Sequence, residues 1–447
     1  MNEKIKVAMS KKIFLLGELS GYRSSGVSQD FYALRDKHLK ENTLYEDELF
    51  PADDSSVSYT PNMYGKIQWK RPKEICNNAK LFVDGHSRKD AIQGEQLGDC
   101  WVIAAIANLA SHEELLHFVM PSDQDFDDKY AGIFHFRFWQ YGKWVDVVID
   151  DRLPYSIDYD NLFSMRCDEN NEFWAPLLEK AYAKLHGSYE ALNRGRCSDA
   201  LQDFTGGITE IFRIDEIDTT NFYELMRASY EAGAMLSCSL RRKLMMGIYG
   251  EHAYGITSVK YVQKQGCSEK IPLIRLRNPW GTFEWKGDWC DRSKLWNSVS
   301  EEDKKALGYV KKNEGEFWMA YNHFEENCVR IEICHRSPLP VITNQISNSV
   351  RDWKISFFEG GWVKNCTAGG RLYLDSSPNV SFCKNPQYRI TLSEPDKDNG
   401  KCTIIVGLLQ KLRRQQRHLG VKNLGISFDV FRLAEGVETS AADIRQN

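Results

Sequence analysis

The residues of this chain that could do chemistry begin with a cysteine at the start of a predicted helix. Cys100 follows a glycine-rich turn and precedes an apolar run from Trp101 to Ala110 in which only Asn108 is polar. That run predicts a helix buried almost all round. The free N–H groups and the positive dipole end at a helix N-terminus favour a thiolate, which is the nucleophilic form of cysteine. The alternative is a packed core cysteine, as most free cysteines are.

A thiol nucleophile also needs a base, a group that orients the base, and donors for the oxyanion. His252 follows Cys100 by about 150 residues, a spacing similar to that of papain-like proteases. Asn278 ends a predicted strand in which Ile274 and Leu276 share its face. A polar amide on a core-facing side needs a hydrogen-bond partner.

The elements that must position these groups follow from hydrophobic periodicity. A β-hairpin is predicted at 132–150 from two alternating runs around Tyr-Gly. Helices are predicted at 29–39 and at 171–189, the second ending near Gly187. Strands are predicted at 234–240, 252–262 and 273–278. Residues 41–82 predict an extended surface segment, and the composition from about residue 337 predicts a separate β-sandwich with a disordered tail from Ala434.

Composition excludes several classes of protein. The chain has 447 residues, a formal charge of −4 and 42% hydrophobic residues, and no stretch is long enough to cross a bilayer. Its twelve cysteines contain no CxxC pair, which argues against a disulfide scaffold or a zinc ribbon. No signal peptide is apparent. We therefore expect a soluble intracellular protein with no nucleic-acid partner.

Local motifs are more specific than the spacing. Gly-Asp-Cys-Trp (98–101), Glu-His-Ala-Tyr-Gly-Ile-Thr (251–257) and Arg-Asn-Pro-Trp-Gly-Thr-Phe-Glu-Trp (277–285) closely resemble the calpain family of calcium-dependent cysteine proteases. Asn-Glu-Phe-Trp (171–174), Asp-Phe-Thr-Gly-Gly (203–207) and Gly-Glu-Phe-Trp-Met (315–319) continue the resemblance. It spans nearly the whole chain.

The resemblance implies an α+β fold with a two-lobed papain-like protease core followed by a calpain-type β-sandwich domain that is incomplete. The expected divisions are an N-terminal segment (1–40), lobe a with the central helix (41–205), lobe b with the antiparallel sheet (206–336), the sandwich (337–433) and the tail (434–447). Cys100 would then be the nucleophile, His252 the base and Asn278 its orienting group. The resemblance also places Trp280, Gly206 and Gly207 at the cleft.

The resemblance further implies two calcium sites in the core, built from hard oxygen ligands. The first would use the carbonyls of Val83 and Gly85 with the carboxylates of Asp90 and Glu172. The second would use four carboxylates and a backbone carbonyl, from Glu284, Asp291, Glu314, Glu316 and Lys312. Arg88 would link the two sites through Glu316. Calcium would draw the lobes together and so align Cys100 with His252.

Three features depart from the family pattern. The run before Cys100 is one residue longer than usual, so the position of the oxyanion-hole glutamine holds Gly94; we expect Gln93 to serve, with Gln96 as the alternative. Glu251 stands where the family has glycine before the histidine, which could crowd the substrate backbone. The resemblance also ends at Ala434, so we expect no penta-EF-hand domain and no small-subunit partner through it.

These features predict an intracellular, cytoplasmic, calcium-activated cysteine endopeptidase that makes limited cuts in protein substrates. The alternative is a catalytically impaired calpain-like protein that acts as a binding or regulatory module, favoured by the inserted residue and by Glu251. The basic stretch from Lys411 to Arg417 has two readings. It is a solvated loop, or it contacts anionic lipid and brings the protein to membranes when calcium rises.

Overall fold

The computed structural model describes residues 13–15, 29–83, 91–94, 96–241, 246–336, 355–374, 377–392, 395, 402–411 and 414–432. The chain divides into two compact units. Of the described residues, the larger unit holds those between 9 and 353 and between 410 and 423, and the smaller holds those between 354 and 409 and between 424 and 432.

The helices fall mainly in the first half of the larger unit. The α-helices are α1 (Phe31–Glu41), α2 (Asp54–Val57), α3 (Pro72–Ile75), α4 (Cys100–Leu109), α5 (Glu113–Val119), α6 (Trp174–His186), α7 (Cys197–Thr205), α8 (Phe222–Glu231), α9 (Glu301–Leu307) and α10 (Tyr321–Asn327). Short 3-10 helices lie at Glu190–Leu192, Ile214–Glu216, Lys294–Ser298, Val380–Lys384 and Arg414–Leu419.

The strands among the described residues form three sheets in the larger unit and one short pair in the smaller. They are β1 (Ile13–Leu15), β2 (Ile67–Lys70), β3 (Ile133–Gln140), β4 (Lys143–Asp150), β5 (Leu153–Ser156), β6 (Asn161–Leu162), β7 (Ile208–Arg213), β8 (Met235–Leu240), β9 (Ala253–Gln263), β10 (Lys270–Arg277), β11 (Glu316–Ala320), β12 (Cys328–His335), β13 (Tyr373–Leu374) and β14 (Ser377–Pro378). The sheet orders are β1-β4-β3, β2-β5-β6, β11-β10-β9-β8-β12-β7 and β13-β14.

The central helix α4 is buried as its apolar sequence predicts. Every residue of α4 after Cys100 is buried. Asn108, its one polar side chain after Cys100, donates from Nδ2 to the carbonyls of Ala104 at 3.0 Å and Leu236 at 3.2 Å. The second bond ties the helix to strand β8, because a buried amide must find a partner. A Cβ on Gly255 of β9 would lie 3.2 Å from the Asn108 amide, so the sheet approaches α4 closely here.

The six-stranded sheet brings the ends of two strands together. β9 and β10 are antiparallel, with Gly255 opposite Arg277 and a bulge between Arg275 and Leu276. His252 directly precedes β9 and Asn278 directly follows β10, so the pairing register places these two residues at the same edge of the sheet. Helix α7 ends at Thr205 and β7 begins at Ile208, which puts the turn between the helical half and the sheet half beside the expected lobe boundary.

The prediction for residues 41–82 was wrong. We expected an extended surface segment, but the chain there forms α2, β2 and α3 and buries the rings of Tyr45 and Phe50. Polar residues dominate the composition of this stretch, so the composition did not indicate that Tyr45 and Phe50 would be buried in the core. The predicted helix at 29–39 is observed two residues later, at Phe31–Glu41, and the predicted hairpin is formed by β3 and β4.

The smaller unit differs from the predicted sandwich strands. The described residues at 355–358, 388–392, 402–408 and 425–431 carry no regular structure, and β13–β14 is the one strand pair described in this unit. Ile390, Leu392 and Ile404 are about half exposed, so the alternating apolar residues found here have no covering sheet among the described residues. The expected sandwich core depends on such a cover. The tail from Ala434 lies outside the described residues.

Candidate active site

Cys100 is the first residue of α4 and lies beside the start of β9. The backbone N–H groups of Ala253 and Trp101 face its sulfur, and Ala253 is the neighbour of His252 in the chain. Burial nevertheless raises the pKa of the Cys100 thiol above its ordinary value. Our expectation that the helix N-terminus favours the thiolate is therefore wrong for this conformation, because the loss of hydration outweighs the backbone donors.

The turn before Cys100 depends on glycine for close approach. A Cβ on Gly98 would lie 2.5 Å from the Asn193 side chain, and the Gly98 carbonyl accepts from the Arg194 N–H at 2.8 Å. A Cβ on Gly94 would lie 2.0 Å from the Ser164 carbonyl oxygen. A glutamine cannot occupy position 94 without moving the backbone, so the displaced motif fits the local geometry of this chain.

His252 is buried and hydrogen-bonded to Asn278. The distance from His252 Nε2 to Asn278 Oδ1 is 3.1 Å. Asn278 Oδ1 also accepts from the Trp280 N–H at 3.0 Å, while its Nδ2 donates to the carbonyls of Thr282 and Phe283 at 2.8 and 3.1 Å. These bonds fix the amide with its oxygen towards the imidazole. His252 Nε2 must therefore carry the proton, which leaves Nδ1 as the basic nitrogen.

Burial also controls the charge of the imidazole. It lowers the pKa of His252 to about 4, and the hydrogen bond to Asn278 opposes this shift only in part. With the thiol pKa raised and the imidazole pKa lowered, both Cys100 and His252 are neutral near pH 7 in this conformation.

Trp280 packs on the His252 imidazole and is hydrogen-bonded to Gln93, in the loop that precedes Cys100. Its ring centroid lies 4.4 Å from that of His252, and its Nε1 donates to Gln93 Oε1 at 2.8 Å. Gln93 Nε2 donates in turn to the Leu97 carbonyl at 2.8 Å. Gln96 instead donates from Nε2 to the Ser156 hydroxyl of β5 at 3.0 Å. Gln93 therefore contacts Trp280, which packs on His252, whereas Gln96 contacts strand β5.

Glu251 adopts a backbone conformation that favours glycine. Its φ is +55°, in the left-handed region, and its side chain is exposed. Its N–H donates to the Leu240 carbonyl at 3.1 Å. The glycine expected from the family would adopt this φ without steric cost, so Glu251 carries strain in place of that glycine.

Gly206 and Gly207 lie at the turn between α7 and β7. Gly206 ends α7 with φ +66°, and a Cβ on Gly207 would lie 2.3 Å from the His335 carbonyl oxygen. Both positions therefore require glycine for backbone reasons. A role at the cleft stays a prediction for these two residues.

The acids expected to bind a second calcium ion lie near one another. The pKa of Asp291 rises to about 7, first through burial and then through the charge of Glu284, with smaller effects from Glu314 and Glu316. Glu284 Oε1 accepts from the Glu314 and Gly315 N–H groups at 2.7 and 2.8 Å. Such crowding of carboxylates is what a divalent cation relieves.

The other expected ligands are only partly described. Asp291 Oδ2 accepts from the Lys312 N–H at 3.3 Å, and Arg275 lies 3.5 Å from Glu316. In the first expected site, Glu172 is buried and accepts from the Val83 N–H at 2.7 Å. Gly85, Asp90 and Arg88 lie outside the described residues.

The residues expected at the two calcium sites therefore fit calcium only in that they offer oxygen ligands. Within the described part of the chain, no three His, Cys, Asp or Glu side chains are grouped closely enough to hold a metal ion. Glu284 and Asp291 of the second expected site accept backbone N–H groups instead. The two calcium sites accordingly stay predictions.

The basic stretch from Lys411 to Arg417 is not a solvated loop where it is described. The Arg414 guanidinium lies 4.2 Å from the Trp101 ring centroid and 2.9 Å from Asp199 Oδ2. Arg417 Nη1 donates to the carbonyls of Ala191, Asn193 and Arg194 at 3.0, 2.6 and 3.2 Å. Lipid contact through these two arginines would have to replace those partners.

A cysteine at a helix start, beside a histidine whose other nitrogen meets an asparagine, is the arrangement of the papain-like class of cysteine proteases. Comparisons with known proteins agree. A family model described as "Calpain family cysteine protease" matches residues 45–335, and another described as "Calpain large subunit, domain III" matches residues 358–446. The chain belongs to the calpain family of cysteine proteases.

Individual relatives match nearly all of the chain. Calpain-B of Drosophila melanogaster is 44% identical over 450 residues, which cover 96% of this chain and 47% of that protein. Calpain-9 of Homo sapiens is 41% identical over 417 residues, covering 91% and 58%. The calpain-2 catalytic subunit of Bos taurus is 42% identical over 432 residues, covering 92% and 59%. The chain thus spans about half the length of the relatives it matches.

None of the described helices combines the length and the apolarity needed to cross a bilayer.

Proposed function

We propose that this protein is an intracellular cysteine endopeptidase that acts on protein substrates through Cys100, His252 and Asn278. The observation that carries the proposal is the placement of His252. Its Nε2 meets Asn278 at 3.1 Å, and the next residue along, Ala253, turns its N–H to the Cys100 sulfur. These contacts support a reaction between His252 and Cys100, because both residues lie near the junction of α4 and β9.

The chemistry follows from these positions. His252 Nδ1 takes the proton of the Cys100 thiol, and the thiolate attacks the peptide carbonyl carbon. The developing oxyanion accepts from the Cys100 N–H at the helix start and from Gln93 Nε2, once Gln93 is released from Leu97. His252 then gives its proton to the leaving amine, which leaves a thioester on Cys100. Water, deprotonated by His252, hydrolyses the thioester and restores the thiol.

Activation requires a change from the conformation described above, because a neutral thiol and an imidazole with a pKa of about 4 do not form an ion pair. We propose that calcium supplies this change. Calcium, when bound, would neutralise crowded carboxylates and favour the conformation in which they converge. Glu284, Asp291, Glu314 and Glu316 with the Lys312 carbonyl would hold one ion; Val83, Gly85, Asp90 and Glu172 would hold the other.

A second candidate function is a calpain-like protein that binds without cutting. The strained, exposed Glu251 beside His252 and the raised pKa of Cys100 favour it. In this case the aligned state is never reached, and the domain acts as a binding or regulatory module.

Labelling of Cys100 by iodoacetamide separates the two candidates. We expect carboxymethylation of Cys100, read by mass spectrometry, to accelerate with calcium, together with calcium-dependent hydrolysis of a fluorogenic peptide. Cys100→Ser should abolish both. Thermal melting of Asp291→Asn provides a readout independent of activity: calcium should raise the melting temperature of the wild type more than that of the variant. Full hydrolysis in excess chelator would remove the calcium proposal, and no hydrolysis under any condition would favour the binding module.

A further inference from the structure

Two acids form a fully buried pair beside the nucleophile. Asp99 directly precedes Cys100 in the chain, and Glu179 lies on α6. Neither residue is exposed to solvent, and their carboxyl groups are hydrogen-bonded to each other. A hydrogen bond between two carboxyl groups requires a proton on one of them, because an ionised carboxylate is only an acceptor. We call Asp99 and Glu179 the acid pair.

Asp99 does not play the part that an aspartate usually plays at its position. It stands at the N-cap of α4, where an aspartate side chain commonly accepts a backbone N–H of the first helical turn. The Asp99 side chain makes no such bond. The Asp99 carbonyl instead accepts from the Val102 and Ile103 N–H groups, at 2.7 and 3.3 Å. The backbone of Asp99 therefore begins the helix, while its carboxyl group is turned to Glu179.

The hydrogen bonds indicate which member of the pair carries the proton. Glu179 Oε2 accepts from the Met165 N–H at 2.8 Å, and such a donor favours a charged carboxylate. Apart from the Asp99 N–H, no N–H or hydroxyl group among the described residues donates to the Asp99 carboxyl group. Burial, and then the charge of Glu179, raise the pKa of Asp99. A buried carboxyl group in such surroundings becomes neutral, so Asp99 holds the proton and Glu179 the charge.

Other titratable groups near the pair are neutral. Besides His252, those that act on the acid pair or on Cys100 from other elements are Tyr64, Tyr189, Cys197 of α7 and Tyr254 of β9. Burial raises the pKa of each of these phenols and of this thiol, so all four are uncharged near pH 7. The acid pair is therefore the source of negative charge beside Cys100 on this side of the site.

The place of the proton matters because Asp99 and Cys100 interact. The charge of a Cys100 thiolate raises the pKa of Asp99. This interaction is mutual, so an ionised Asp99 raises the pKa of the Cys100 thiol in turn. With the proton on Asp99, the residue bonded to Cys100 carries no charge, and the remaining negative charge of the pair lies on α6. The thiolate then forms without a like charge on its chain neighbour.

We propose that Asp99 is a positioning residue that holds the proton of the acid pair on the Cys100 side, and so favours the thiolate form of the nucleophile. The inference rests on the proposed endopeptidase function and deepens it, because it names two residues that act on Cys100 without touching a substrate. The pair also explains why an aspartate at a helix start does not oppose a thiolate one residue away.

Two amide substitutions test the proposal, because each removes one carboxyl group but leaves the charge in a different place. In Asp99→Asn the remaining carboxylate is Glu179, as proposed for the wild type. In Glu179→Gln it is Asp99, next to the sulfur. The rate of Cys100 alkylation by iodoacetamide, read by mass spectrometry over a range of pH with the full chain in calcium, gives the midpoint of thiol ionisation. We expect the Glu179→Gln midpoint to lie about one pH unit above that of Asp99→Asn.

The rate at fixed pH and a double variant give two further readouts. Near pH 7, Glu179→Gln should be alkylated about 3- to 10-fold more slowly than Asp99→Asn, because fewer molecules carry the thiolate. The double variant Asp99→Asn with Glu179→Gln has no charge in the pair, and its midpoint should lie below those of both single variants. Melting curves show which variants fold, and the order of the double variant and Asp99→Asn tests the proposal even where Glu179→Gln does not.

Asp203→Asn is the matched control. Asp203 is an acid of α7 that accepts from Gln140 Nε2 and from the Tyr182 hydroxyl, both at 2.8 Å. Its amide variant should keep the wild-type midpoint. Equal midpoints in the two single variants, or the higher midpoint in Asp99→Asn, would overturn the role of Asp99. Alkylation needs no turnover, so the expected order of midpoints in a protein that cleaves no peptide would support the acid pair and count against the endopeptidase proposal alone.

Discussion

The helical half and the sheet half of the larger unit differ in how their charged side chains are arranged. In the helical half, two buried lysines are paired with carboxylates: Lys184 Nζ lies 2.6 Å from Asp47 Oδ2, and Lys180 Nζ lies 2.6 Å from Asp150 Oδ1, with all four side chains fully buried. In the sheet half, burial and then the charge of Glu284 raise the pKa of Asp291, and among the neighbouring acids only Glu316 lies within 3.5 Å of an arginine, Arg275. Paired buried charges specify one arrangement, whereas crowded like charges store repulsion that a cation can relieve. The helical half also holds one crowded carboxylate pair, because burial and the charge of Glu179 raise the pKa of Asp99, the residue before Cys100.

The largest expected effect comes from the sheet half. Asn278→Ala removes the acceptor that fixes the His252 tautomer and the donor that holds the turn at Thr282 and Phe283. By analogy with loss of the orienting group in other catalytic triads, we expect kcat to fall about 1,000–10,000-fold. Peptide hydrolysis at saturating calcium measures it. Asn327→Ala, a buried asparagine whose amide donates to the His323 carbonyl in α10, is the control. A fall of equal size in the control would assign the effect to general disruption.

Sequence reasoning was accurate where the local pattern decides the structure. The apolar run after Cys100 gave a buried α4, alternation gave the β3–β4 hairpin, and the face shared by Ile274, Leu276 and Asn278 required the partner that His252 supplies. These properties depend on residues close in sequence, or on one polar group that must be satisfied.

Sequence reasoning was inaccurate where contacts between segments distant in the chain determine the structure of the site. The direction of the Cys100 pKa shift depends on how deeply the thiol is buried, and its position at a helix N-terminus does not determine that burial. The choice between Gln93 and Gln96 depends on Trp280 and Ser156, which lie far from both in sequence.

A variant of the helical half should lower stability rather than catalysis. Lys184→Met leaves Asp47 buried without its ammonium partner, and we expect a loss of about 3–5 kcal/mol in the free energy of unfolding. Urea denaturation measures it. Lys305→Met, at an exposed position of α9, should change stability little. Adding Asp47→Asn to Lys184→Met should recover part of the loss, and no recovery would show that the charge is not the cause.

The pH dependence of stability sharpens the same comparison. His135 is buried between Asp146, 2.9 Å from its Nδ1, and Asp123, 3.4 Å from its Nε2. Burial opposes the charged form, but the bonds to the two aspartates outweigh it and raise the pKa of His135. A raised histidine pKa means that the folded state binds the extra proton. The stabilisation is complete below about pH 6.5 and is lost as pH rises through the folded-state pKa.

The expected result is a difference between wild type and His135→Asn that shrinks with pH. Unfolding free energies at about pH 6 and about pH 9 measure it, with the wild type favoured more at the lower value. His418→Asn, whose ring is exposed, should show no such trend. A difference that grows with pH would contradict the assignment of a charged His135 to the folded state.

The smallest expected effect is on stability and concerns Glu251, the residue before His252. Glu251→Gly relieves the strain of φ +55°, and we expect a gain of about 0.5–1 kcal/mol in unfolding free energy after the entropy cost of glycine. Thermal melting measures it. Lys305→Gly in α9, where φ is helical, should instead destabilise by a similar amount. If Glu251→Gly also destabilises, the glutamate makes contacts that outweigh its backbone strain.

The amide of Asn108 has a mechanical consequence. It joins α4 to β8 at one end of the helix, while Cys100 stands at the other end, eight residues and about 12 Å away. If α4 rotates about its contact with β8, Cys100 moves with the opposite end of the helix. A tilt of only about 5° displaces the sulfur by about 1 Å, and an error of that size in a reacting atom can cost about 100-fold in rate. If Cys100 and His252 react as we propose, adjustments of this size between the two halves would switch the activity on or off.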